Sequence, residues 1–410
     1  MRKRDAILKS VLAISALAIN GASGASSLLL LQPIDLPGSA LPSVATVRGG
    51  FVLTTQQRDG SDAQLTFAEL DRDGNMRRRG TIAEGRNWFV NWADFPSLVE
   101  TDDGDWVSFF LAKSDPNQPY AYDVRLVRSK DRGQTWSAPL TVHDDGTSTE
   151  HGFVTLLPAG GNDVLVSWLD ARHGAAMAGD GDHEHEGSHT AIHAARVDGA
   201  MRVVAHWELD ELTCDCCNTD GRRIGNDSWI VYRNRSPEEI RDIHAVRFDG
   251  TGWSLPKRVL RDDWKITGCP VNGPAMASLD GLPLVFWPTQ QGTSTVLRLA
   301  LHDHGFVDLG VIERGEGVLG RVDAVAFGRD QALLSWLGVD GDETVLRVGL
   351  IDAAGKVLEI HDVTRLPPGR MTGIPRLAAM GRQALVVWTD ASAAPALKIR
   401  GALIRALDTD

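Results

Sequence analysis

The four cysteines of this 410-residue chain are confined to two short segments, Cys214-Asp215-Cys216-Cys217 and Cys269-Pro270-Val271-Asn272-Gly273-Pro274. Thiols gathered this closely suit a local staple, a soft-metal site or a redox pair, because sulfur can form a covalent bridge, ligate as thiolate or exchange. Three arrangements stay open on spacing alone. One is a disulfide from Cys269 to a cysteine of the tetrapeptide, and another is a thiol redox site. The third is copper or zinc held by Cys214, Cys216, Cys217 and Cys269, with His151 completing the set. Cys-x-Cys-Cys is compact enough for a metal but matches none of the fixed-spacing zinc patterns. A second segment of ligating residues, Asp180-Gly181-Asp182-His183-Glu184-His185-Glu186-Gly187-Ser188-His189 with His193 beyond it, either captures copper, zinc or nickel or stays solvated.

The compartment bears on that choice. Met1-Arg2-Lys3-Arg4 precedes an apolar run from Val11 to Ile19 and small residues around Ala22-Ser23-Gly24-Ala25, the pattern of a cleavable signal peptide over residues 1–25. The remainder, 26–410, is therefore expected to be periplasmic or secreted. No later segment approaches the roughly 18 to 20 uninterrupted apolar residues of a membrane span, so no membrane insertion is expected. The formal net charge of -12 argues against nucleic acid and anionic membrane as partners.

The elements that must position the cysteines recur along the chain. Short apolar runs ending in an aromatic occur at Val107-Ser108-Phe109, Val166-Ser167-Trp168, Ile230-Val231-Tyr232, Val285-Phe286-Trp287, Leu334-Ser335-Trp336 and Val387-Trp388. A first strand opens about eleven residues before several of them, near Pro96, Pro274, Asp323 and Pro375, and a third strand follows each pair and ends at an Asp or Gly turn. Such a period with no convincing helix predicts an all-β fold, a single β-propeller domain. Seven blades are expected, or six if Leu41 to Thr81 is not a separate blade. The apolar stretch Ser27 to Leu36 is expected to supply the missing outer strand of the last blade. The same phasing puts both cysteine segments, Glu150, His151, Trp92 and Asp94 in loops that enter innermost strands on one face.

One turn carries a family resemblance. Ser129-Lys130-Asp131-Arg132-Gly133-Gln134-Thr135-Trp136 fits Ser-x-Asp-x-Gly-x-Thr-Trp and so resembles the Asp-box of the sialidase-like superfamily. The resemblance implies a structural turn between the third and fourth strands of a blade, away from the active face. It also implies an arginine cluster for a substrate carboxylate, a Tyr nucleophile assisted by Glu, and an Asp acid. The Arg-Ile-Pro motif is absent; Gly373-Ile374-Pro375-Arg376 has its order changed. The catalytic candidates are Asp94, Tyr232 and Glu239, although Tyr232 stands where other repeats carry a packing Trp. The ligand-binding candidates are Arg233, Arg241, Arg321, Arg376, Trp92 and Asn272. The expectation is a monomeric, extracytoplasmic propeller that binds, and with those roles hydrolyses, a glycan or small anionic ligand. The alternative is a non-hydrolytic copper- or zinc-binding protein built on the cysteine cluster.

Overall fold

Strands covered on both faces read as unbroken apolar runs, and strands with one wet face alternate. Val164–Asp170 is buried at every position, whereas the outer strands Met76–Arg86 and Val203–Asp210 are mostly exposed or half-buried, with one buried residue each, Ile82 and Leu209. Stacking sheets face to face around an axis produces both patterns. A computed structural model describes residues 28–38, 40–175 and 189–407; the expected signal peptide and the stretch 180–188 of the His-rich segment lie outside the described residues.

The described residues form seven four-stranded antiparallel sheets, spanning 43–86, 98–141, 151–210, 220–258, 275–314, 318–366 and, joined by 29–36, 376–406. These are blades 1 to 7. The weakest repeat is thus a blade of its own. Ser43–Val47, innermost in blade 1, lies against both Leu98–Glu100 of blade 2 and Arg376–Met380 of blade 7, which closes the ring. Leu29–Leu36 supplies the outer strand of blade 7, antiparallel to Lys398–Ala406, with Leu29 opposite Ala406 and Leu36 opposite Ile399. This closure hides the edge that the chain's last strand would otherwise expose.

The core is divided into seams between blades rather than gathered at the centre. Leu284 and Phe286 of blade 5 pack with Leu334 and Trp336 of blade 6, and Phe51 and Leu53 of blade 1 pack with Leu385 and Leu403 of blade 7. The inner strands wall a channel of about 460 Å³ along the axis. Large aromatics of the second strands satisfy their polar tips within the seams: Trp168 Nε1 donates to Asp170 and Trp287 Nε1 to Asp262, each at 2.7 Å.

The Asp-box joins the third and fourth strands of blade 2, as the resemblance implies. Asp131 accepts from the amide of Thr135 at 2.9 Å and its hydroxyl at 2.6 Å, while Gly133, at φ 86°, donates its amide to Ser129 Oγ. Those bonds hold the Asp131 carboxyl down at about 2. Asp71, Asp198, Asp249 and Asp352 cap the corresponding turns of blades 1, 3, 4 and 6 in the same way. In an antiparallel blade these turns share one face, and the loops that enter the inner strands lie on the other.

Candidate functional site

That second face is a mouth where the loops converge, and side chains stitch four pairs of neighbouring blades across it. Asp94 accepts from the Phe153 amide (2.9 Å), Asn218 from Gly273 (3.1 Å), Asn272 from Arg321 (2.9 Å), and Asp323 from Leu377 (2.8 Å). Phe153 and Arg321 hold positive φ, 53° and 54°, so backbone strain is stored where their amides turn to meet these acceptors. Gly273 has no freedom to carry a side chain, because a Cβ there would meet Asn218 O at 1.8 Å.

The two cysteine segments meet in this lacing. Cys216 and Cys269 form a disulfide between the loops entering blades 4 and 5, and Cys214 and Cys217 are buried free thiols. Arg241 Nη1 lies 3.3 Å from Cys214 Sγ. The Cys217 thiol donating to it and the Arg241 charge bring Cys214 down to about 7 despite its burial, while burial and the Cys214 partner push Cys217 well up. The expected metal set is divided by this arrangement. A disulfide sulfur is not a thiolate donor, so with the bridge formed only Cys214 and Cys217 remain as soft ligands. His151 does not join them: its ring stacks on His143, with Nε2 3.3 Å from Asp145 and 3.7 Å from Asp170.

Tyr232 and Glu239 each have partners other than one another. The Tyr232 hydroxyl donates to Asp210 at 2.7 Å, and burial beside that carboxylate pushes its pKa up. Glu239 instead clamps Arg235 and Arg241. Two proposed ligand-binding arginines are likewise spent internally. Arg233 donates to the carbonyls of Asn272, Arg241 and Pro288 and stacks over Trp264, and Arg241 is held by Glu239 and Cys214. Asn272 gives both ends of its amide to the start of the inner strand of blade 6, accepting from Arg321 and donating to Leu319 O.

A different tyrosine sits between two acids. Tyr122 OH is 2.6 Å from Glu150 and 3.1 Å from Asp94. Sequence reasoning places Asp94 and Glu150 at the mouth but misses Tyr122, which opens the third strand of blade 2 rather than holding the repeated aromatic position. Burial, only partly offset by hydrogen bonds from Phe153 and Tyr122, raises Asp94 to about 7. Burial raises Glu150 to about 8, helped by the Asp94 charge. The cluster thus carries a proton near neutrality, with Asp94 lining a small recess that also includes Ser43, Phe153, Asn218 and Arg376.

A pH dependence follows from the sign of these shifts. Carboxyls whose folded pKa lies above the unfolded value contribute less stability as pH climbs from about 4 toward 8, because over that range the unfolded chain ionises them freely while the folded interior still holds their protons. Asp170, lowered to about 2 with Arg172 as partner, acts oppositely and loses its contribution below about pH 4. The melting temperature is expected to peak in mild acid and to fall by roughly 5 °C between pH 5 and 8.5, a fall that Asp94→Asn with Glu150→Gln abolishes. Differential scanning calorimetry checks this; wild type and variant falling in parallel would remove the cluster as the cause.

The cations at the mouth differ in how they are neutralised. Arg376 pairs with Asp323 at 3.3 Å. Arg321 stacks 4.5 Å over Trp92 and donates Nη1 to Gly369 O and Gly373 O. Among the described residues it has no carboxylate within salt-bridge distance. Burial without a counter-ion, with Arg370 adding repulsion, lowers it to about 10. Arg370 lies in the loop entering blade 7, outside the candidates named from sequence.

Solved structures of like fold are distant in sequence. Polysaccharide lyase Uly1 superposes with a TM-score of 0.55 at 11% identity, covering 92% of this chain and 91% of its own. A Dyadobacter fermentans protein of unknown function gives 0.54 at 11%, covering 92% and 99%. The intramolecular trans-sialidase of Ruminococcus gnavus, in complex with oseltamivir carboxylate, gives 0.50 at 11%, covering 78% and 97%. These likenesses extend to the fold, an all-β propeller. No protein-family model and no curated protein matches the sequence. Within this fold, the mouth described above lies on the face opposite the Asp-box turns.

Proposed function

We propose that this sialidase-like propeller binds an anionic saccharide at its mouth, with Arg321 and Arg370 meeting the carboxylate or sulfate. The carrying observation is the uncompensated cation: Arg321 is largely desolvated, next to a second arginine, and without an acidic partner among the described residues. Such a group is costly unless an anion arrives, and a bidentate carboxylate or sulfate fits a guanidinium held over an indole. The like-folded Uly1 is a polysaccharide lyase, and the Ruminococcus gnavus enzyme was solved with a carboxylate ligand. The first supports a saccharide ligand and the second a carboxylate.

A second reading, glycoside cleavage, is favoured by Asp94. A carboxyl raised to about 7 at the edge of a recess is suited to give a proton to a leaving oxygen. An oligosaccharide array carrying sialylated, uronate, sulfated and neutral glycans tests the binding. Signal on anionic spots that vanishes in Arg321→Gln with Arg370→Gln supports it, and signal confined to neutral spots refutes it. Product release that Asp94→Asn stops without loss of array signal would establish the cleavage reading.

A further inference from the structure

Blade 3 carries an imidazole cluster that neither the mouth nor the core accounts for. His173 lies in the single helical turn Arg172–Ala175 after the second strand, His193 in the third strand Ala191–Val197, and His206 and Glu208 in the outer strand Val203–Asp210. Strand pairing sets His193 opposite Glu208, and His206 two pairs along, opposite Ala195, stacks with Trp168. The turn then drops His173 over the same edge.

His173 Nε2 is 2.9 Å from Glu208 Oε2, and His193 Nε2 is 3.4 Å from the same oxygen. All three donor atoms lie within 4.8 Å of one another. His193 is only 2% exposed, and its Nε2 is a buried polar atom without a hydrogen bond, the 3.4 Å approach being misaligned for one. Its other nitrogen, Nδ1, stands 3.1 Å from His206 Nε2. If His193 donates that proton to His206, the Nε2 lone pair faces Glu208, acceptor against acceptor, an arrangement that a cation resolves.

We infer that His173, His193 and Glu208 form a divalent-metal site of the zinc type, with His206 orienting His193 from behind. Donor atoms around tetrahedral zinc stand roughly 3.3 Å apart, given bonds of about 2.0 to 2.1 Å, which the separations above bracket. Two neutral imidazoles and one carboxylate form a borderline donor set that suits zinc, and a ligating His normally gives its second nitrogen to a partner such as His206. The side chains of His173 and Glu208 are 45% and 40% exposed, which leaves a path for the ion and a fourth position for water. The ion would clamp the turn at 172–175 to the outer strand on the mouth-side rim of the blade.

This site is separate from the arginines of the mouth and from the cysteines, and its test keeps them apart. Metal-stripped full-length protein is titrated with Zn²⁺ in a calorimeter, and Co²⁺ is titrated in parallel for its visible absorption. One equivalent is expected to bind. His173→Asn and Glu208→Gln, both at exposed side chains, should each weaken binding at least tenfold, and His206→Gln by about tenfold. Cys214→Ser with Cys217→Ser, and His183, His185 and His189 all changed to Asn, should leave the affinity of that equivalent unchanged. Absence of binding by the wild type overturns the inference. So does binding that survives in both His173→Asn and Glu208→Gln.

Discussion

Removing residues 28–36 is expected to prevent a stable ring from forming. Leu29–Leu36 pairs along its whole length with Lys398–Ala406, and Leu29 is buried in the seam between blades 6 and 7. Without it, eight residues of Lys398–Ala406 lose their ladder partners, and a long apolar edge faces solvent. Burial of Leu29 alone is worth about 2 kcal/mol, and the lost strand adds cross-strand contacts along the rest of the ladder. The truncated chain should be insoluble or melt at least about 10 °C lower. Circular dichroism melts of any soluble fraction decide it. A soluble truncation with the wild-type melting temperature would show that blade 7 is stable with three strands.

The disulfide carries the second large effect. Cys216 and Cys269 are 53 residues apart in sequence, so their bridge removes substantial freedom from the unfolded chain, about 4 kcal/mol on loop entropy. Replacing both by Ser should move the guanidinium midpoint down accordingly. The effect reaches the mouth as well, because the bridged loops also carry the Asn218–Gly273 stitch and the Asn272 carbonyl that Arg233 holds. Counting thiols in denaturant should find two in the wild type, Cys214 and Cys217. An unchanged midpoint in the double Ser variant would mean that the bridge adds nothing to the fold.

What the sequence conveys and what it hides divide along physical lines. Repeat phase is a property of single strands, so the apolar runs ending in an aromatic place seven blades, the N-terminal closing strand and the convergence of both cysteine segments. Side-chain partnerships across blades are not periodic and are harder to read. The run from Arg233 to Ile243 is dense in charge, as an anion site would be, yet Arg233 turns inward to three carbonyls and Glu239 neutralises its own neighbours. Tyr122 and Glu150 meet only because the strand start of blade 2 abuts the loop entering blade 3, a contact between residues 28 apart. His151 follows Glu150 directly, but a residue's neighbour in a strand faces the other way. It therefore points into the carboxylates of Asp145 and Asp170 rather than toward the cysteines.

Arg321 shows both sides of this division. Its place near the start of an inner strand is legible from the repeat, and its role is not, since the deciding facts are the stacking on Trp92 and the want of a carboxylate partner among the described residues. Isothermal titration of the strongest array ligand and of its carboxyl-reduced or desulfated counterpart, into wild type and Arg321→Gln, tests this assignment most directly. The account predicts that the wild type prefers the charged sugar by at least about tenfold, or 1.4 kcal/mol, and that Arg321→Gln erases the preference while still folding. Equal affinity of the wild type for both sugars, or an undiminished preference in Arg321→Gln, would contradict it.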